Sequence, residues 1–95
     1  MKLEDLLKFK SEILKLAASC GCKNVRVFGS VVRGDAKITS DIDILVKFNP
    51  GSSLIDHSRL KRMLQELLNS KVDVVDEDEL DVMIRDRVLQ EAVSL

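Results

Sequence analysis

The stretch Phe28–Val46, FGSVVRGDAKITSDIDILV, decides how the chain is read. It carries a Gly-Ser pair, a lone Arg33 and three aspartates within nineteen residues. Asp41 and Asp43 are separated by a single isoleucine in what otherwise reads as a buried strand. In a strand, residues i and i+2 share a face, so the two carboxylates project together, roughly 6–7 Å apart, while Ile42 and Ile44 point to the core. Two such charges repel, and burying either without a partner would cost several kcal/mol. They belong either in water or around a cation, and hard carboxylate oxygens favour Mg²⁺ or Mn²⁺.

Asp41 to Phe48 is the clearest strand, with Ile42, Ile44, Val46 and Phe48 alternating with Asp41, Asp43, Leu45 and Lys47. Asn49-Pro50-Gly51 stops it. Upstream, Val25, Val27 and Phe28 give a short strand ending at Gly29, and a brief helix or turn follows from Ser30 to Gly34. Downstream, Ser53-Leu-Ile-Asp56 reads as a capping box opening a helix with Leu60, Met63, Leu64, Leu67 and Leu68 on one face. Lys71 to Val75 is a third strand, in which Val72 and Val74 flank Asp73. Asp76 is placed to cap a last helix with a stripe of Leu80, Met83, Ile84 and Val88. At the N-terminus, Leu3, Leu6, Leu7, Ile13, Leu14 and Ala17 fall mostly on one helical face, broken by Lys10 and stopped at Gly21. The order is helix-strand-helix-strand-helix-strand-helix, an α/β or α+β sheet covered by helices.

Bulk composition narrows the function. The 95 residues fit one domain, 1–95, with one modest core. Net charge is −1, and the three aromatics are all Phe. Neither a basic patch nor stacking platforms point to direct nucleic-acid binding. Cys20 and Cys22 have no His or Cys cluster around them, so they read as free thiols at a helix end in a reducing compartment rather than zinc ligands. The N-terminal segment interrupts every apolar run with a charge, which fits neither a signal peptide nor a membrane span. A cytoplasmic location is the expectation.

The chemistry concentrates in three places. If the strand of Asp73 neighbours that of Asp43 in register, three carboxylates meet on one face, enough to hold two metal ions. Gly29-Ser30 ends a strand where Gly lets a ligand approach the backbone and Ser30 adds a hydroxyl, a cradle suited to phosphate. Arg33 either reaches those phosphates or pairs with Asp35. His57 reads as a surface or packing residue, and Arg85 and Arg87 as a solvated helix face.

Phe28-Gly29-Ser30, ten intervening residues, Asp41-Ile42-Asp43-Ile44 and Val72-Asp73-Val74 together resemble the nucleotidyltransferase superfamily that includes DNA polymerase beta. The chain looks most like the minimal nucleotidyltransferases found as antitoxins in prokaryotic toxin–antitoxin pairs, over nearly its whole length. That resemblance implies a small mixed sheet of three to four strands. It implies two Mg²⁺ (or Mn²⁺) ions held by Asp41 and Asp43, with Asp73 completing one site and helping to activate an acceptor hydroxyl. Gly29, Ser30 and Arg33 would bind a nucleoside triphosphate. The implied reaction is transfer of AMP from ATP to a hydroxyl, a Tyr of a helical HEPN-type toxin, with release of pyrophosphate. Two other readings stand beside it: an antitoxin that neutralises by contact alone, and transfer to a small molecule. One departure is Val31-Val32, where relatives carry an aromatic or polar residue followed by Ala.

Overall fold

The computed structural model describes residues 1–95. Five helices and four strands follow in the order α1 (Leu3–Leu7), α2 (Lys10–Ser19), β1 (Cys22–Phe28), α3 (Ser30–Arg33), β2 (Ile42–Phe48), α4 (Leu54–Leu68), β3 (Val72–Asp76), α5 (Val82–Glu91) and β4 (Val93–Ser94), with a 3-10 turn at Glu77–Glu79. The strands form one mixed sheet in the order β3-β2-β1-β4. β1 runs antiparallel to β2 and β4, and β2 runs parallel to β3. The parallel pair needs a crossover, which α4 supplies.

The core lies on one face of the sheet. Ile13 and Ala17 of α2, Leu60, Leu64 and Leu68 of α4, and Val25, Val27, Ile42, Ile44, Val46, Val72 and Val74 from the strands form one buried cluster. Removing each large apolar side chain from water stabilises the fold by roughly 1.5–3 kcal/mol. Leu45 points to the other face and is fully buried there; it and Val88 of α5 stand outside that cluster. The strand of the paired aspartates is therefore covered at Leu45 yet carries Asp43 on the same side.

Local signals explain most boundaries. Ser53 Oγ accepts from Asp56 N–H and Asp56 Oδ2 accepts from Ser53 N–H, so the expected capping box opens α4. Gly34, at φ 82°, closes the single turn of α3 in the left-handed region. Cys20 ends α2 and Cys22 opens β1, both buried as free thiols. Burial above all, then the neighbouring Cys20, pushes the Cys22 thiol up to about 12, which keeps it protonated and inert. His57 is a packing residue: its ring stacks on Phe48 at 5.2 Å and its Nε2 donates to Val74 O at 2.8 Å.

Five expectations are corrected. The N-terminal stripe is two helices, broken at Lys8–Phe9, because the turn buries Leu6 and Ile13 together while leaving Lys10 exposed. β2 begins at Ile42, leaving Asp41 just ahead of it and exposed. Asp76 caps the 3-10 turn through Asp78 N–H, not the last helix. Leu80 then turns extended, and Asp81 caps α5 by accepting from Met83 N–H at 2.8 Å. Glu77 is held to Arg26 at 3.0 Å, and Arg85, expected in solvent, donates to Glu77 O at 2.8 Å. Finally, Met83 of the expected apolar stripe is 86% exposed, because α5 buries only its Val88 end.

Candidate active site

The parallel pairing of β2 and β3 sets Asp43 directly beside Asp73, within the register Ile42↔Val72, Asp43↔Asp73, Ile44↔Val74. The apolar partners fix that register: a slip of one residue would turn Ile42, Ile44, Val72 and Val74 out of the core. Neighbouring strands lie roughly 4.8 Å apart, so the two carboxylates are side by side. Asp41 joins them from the segment before β2. Its charge reaches Asp43, as does that of Asp73. The Asp43 carboxyl is pushed up from its ordinary 3.8 to about 6, chiefly by burial, then by Asp73 and Asp41, against a smaller opposing pull from Arg33.

That shift has a sign in stability. Below about pH 4 Asp43 is neutral in both the folded and the unfolded chain. Between about pH 4 and 6 the unfolded chain releases this proton while the folded chain keeps it, so folding loses stability as pH rises, by about 3 kcal/mol at most. Asp43→Asn removes the penalty. The variant is expected to be more stable than the parent protein by about 1–3 kcal/mol at pH 7 and no more stable at pH 4, read from denaturant melts at both pH values. An equal difference at the two would show that Asp43 carries no such strain.

On the neighbouring strand, β1 ends at Phe28, which pairs with Asp43 across the antiparallel ladder. Gly29 follows at φ 79°, ψ −151°, a conformation open to Gly alone. A Cβ there would run into Asp43 Oδ2, with Asp43 Cγ and Cβ close behind. Gly29 is thus required twice, by its backbone angles and by the carboxylate lying against it. Ser30 opens α3 immediately after, half-buried. Arg33, at the other end of that turn, is half exposed and pairs with Asp35 at 3.4 Å and with Glu91 Oε1 at 2.8 Å. The hydrogen bond that Arg33 donates to Glu91 strengthens the hold of Arg33 on its charge.

The structure therefore gathers Asp43, Asp73, Gly29 and Ser30 on adjacent strand ends, with Asp41 and Arg33 on the exposed rim. No three acidic, His or Cys side chains close into a cation cage. The donors nonetheless fit a hard divalent cation in kind. All are carboxylate oxygens, and the mutual repulsion recorded at Asp43 is what a bound cation would relieve. Glu91 is the residue that sequence reading missed. Its other oxygen, Oε2, accepts from Gly29 N–H at 3.0 Å. Sixty-two positions separate the two, and nothing in the local sequence of α5 marks this acid from its neighbours.

A strand leading into Gly29-Ser30, laid against the strand of Asp43, which pairs in parallel with that of Asp73, is the arrangement expected from the motifs, and the nucleotidyltransferase domain family matches residues 3–95. The chain belongs to the nucleotidyltransferase domain family. Among relatives of this nucleotidyltransferase, the protein adenylyltransferase MntA of Thermococcus cleftensis is 44% identical over 73 residues, covering 77% of this chain and 74% of that protein. A solved structure described as a minimal nucleotidyltransferase superimposes with a TM-score of 0.90 at 47% identity, covering all of this chain and 97% of the other. A crystal structure of a toxin–antitoxin pair with AMP-PNP gives a TM-score of 0.75 at 27% identity, over 88% of this chain and 69% of that one. The nucleotidyltransferase has no helix long and apolar enough to cross a membrane.

Proposed function

We propose that this nucleotidyltransferase is one minimal domain over residues 1–95 that transfers AMP from ATP to a hydroxyl on a partner protein, a HEPN-type toxin, with a Tyr as acceptor. One observation carries the reading: Asp43 and Asp73 lie in register beside the Gly29-Ser30 turn, so an acid cluster and a turn suited to phosphate share one end of the sheet. Asp41 and Asp43 would hold two Mg²⁺ ions (Mn²⁺ could substitute), with Asp73 completing one of the sites. When bound, such ions neutralise phosphate charge and sharpen the nucleophile. Gly29 offers backbone access, Ser30 a hydroxyl and Arg33 a guanidinium to the triphosphate.

In the reaction, the acceptor oxygen bonds to the α-phosphorus, the bond from that phosphorus to the bridging oxygen breaks, and pyrophosphate leaves. The acceptor proton would pass to a carboxylate, the role the motif resemblance gives to Asp73. The Asp43 carboxyl, pushed up by burial to about 6, is still ionised at pH 7 and available as an oxygen donor. Asp41, Asp73 and Arg33 are exposed, so the face is open and the acceptor arrives on another molecule. The support for a protein acceptor is the name of the Thermococcus relative, and the support for a toxin is the toxin–antitoxin neighbour that was crystallised with AMP-PNP. The HEPN class and the Tyr rest on the motif resemblance. AMP added beside an RNA-binding site would block it by bulk and charge. A cytoplasmic location follows from such a partner.

Incubating the toxin with the protein and Mg-ATP is expected to add one or more AMP residues to the toxin, read by intact mass, and to add none when Asp41→Asn replaces the parent. A toxin that is inhibited but unmodified would favour the contact-only reading.

A further inference from the structure

Glu91 stands in the last turn of α5, with its side chain 20% exposed. Its two oxygens hold two of the three groups proposed above to meet the triphosphate: Oε2 accepts from Gly29 N–H at 3.0 Å, and Oε1 accepts from Arg33 Nη1 at 2.8 Å. A carboxylate and a phosphoryl edge present the same pattern, two oxygens sharing negative charge. A backbone N–H carries one hydrogen, so Gly29 cannot serve a phosphate while Glu91 holds it. The acid is also delivered on a tether. Val93 and Ser94 pair with Val27 and Arg26 of β1, and Leu95 N–H bonds to Val25 O at 3.0 Å. These contacts fix the end of α5 beside the Gly29 turn. The placement adds a further negative charge to an acid cluster that already repels itself.

We propose that Glu91 is an internal competitor for the triphosphate, holding Gly29 N–H and Arg33 in its absence and being displaced when nucleotide binds. The inference rests on the reading of Gly29 and Arg33 as phosphate-binding groups. It makes Glu91 a determinant of nucleotide affinity: the fraction of molecules with Glu91 withdrawn scales the apparent dissociation constant. The opposite role, a positioning residue that holds Arg33 ready for phosphate, predicts the opposite sign.

The test is calorimetric binding of Mg-ATP and of inorganic tripolyphosphate at fixed salt and pH 7. The proteins compared are the parent, Glu91→Gln, Glu91→Ala, Arg33→Ala and the Glu91→Gln/Arg33→Ala pair. Glu91→Gln keeps the side chain's shape and guards against loss of fold in the alanine variant. Removing the charge is expected to tighten both ligands by a similar factor, about 3–10-fold, because the competition is for phosphate and not for the base. Arg33→Ala is expected to weaken both ligands and to cancel most of the gain in the double variant. Unchanged or weaker binding in both Glu91 variants, with Arg33→Ala still weakening, overturns the competitor role and leaves the phosphate reading standing. No effect of Arg33→Ala in either background overturns the phosphate reading and the competitor with it.

Discussion

Asp43→Asn is expected to cut nucleotidyl transfer by at least about 10³-fold, the scale of losing a principal electrostatic stabiliser. Asn matches Asp in shape, so the core alternation of Ile42 and Ile44 and the pairing with β3 survive. What goes is the half-buried charge at the centre of the acid cluster, between Asp41, Asp73 and the Gly29 turn. Since the same change is expected to stabilise the protein at neutral pH, a loss of activity with the fold retained is the expected pattern. Steady-state transfer measured beside a melting curve separates the two. A variant that keeps near-normal transfer would remove Asp43 from the catalytic set.

Gly29→Ala has the second largest expected effect, and by a different route. Alanine at φ 79°, ψ −151° is strained by about 1–3 kcal/mol before any contact is counted. Its Cβ then meets the whole Asp43 side chain, from Oδ2 back to Cβ, so rotating the carboxylate away relieves only part of the overlap. The chain is expected to lose about 2–4 kcal/mol of stability from strain and overpacking combined. Transfer is expected to fall about 10²-fold in the molecules that still fold, because displacing a reacting group by about 1 Å has that cost. Denaturant melts and initial rates on folded protein read the two effects. A variant with parental stability would show that the turn is less constrained than its angles indicate.

The elements around these two residues were legible because each carries its own local signal. Asp41–Phe48 alternates and ends at Asn49-Pro50-Gly51, and Ser53 and Asp56 cap each other across four residues. The register of Asp43 with Asp73 could be anticipated because both aspartates sit between core-facing β-branched residues. What stayed hidden depends on tertiary contacts. The break at Lys8–Phe9 has neither Gly nor Pro to announce it and follows from docking Leu6 and Ile13 into one core. Asp76 and Asp81 are equally good caps by sequence, and each caps a turn of its own: Asp76 accepts from Asp78 N–H and Asp81 from Met83 N–H, with Glu77 between them anchored 51 positions away on Arg26. The two-residue β4 is too short for any periodicity, and it is this strand that brings Glu91 to the Gly29 turn.

Nucleotidyl transfer to a protein is decided by which phosphate of ATP carries its label to the toxin. With ATP labelled on the α-phosphate, the toxin partner is expected to become labelled, with pyrophosphate released in equal amount. With ATP labelled on the γ-phosphate, it is expected to remain unlabelled, and Asp43→Asn is expected to abolish the α-label. Label on the toxin from the γ-phosphate, or inhibition of the toxin with no label from either position, would rule out nucleotidyl transfer as the activity on this partner.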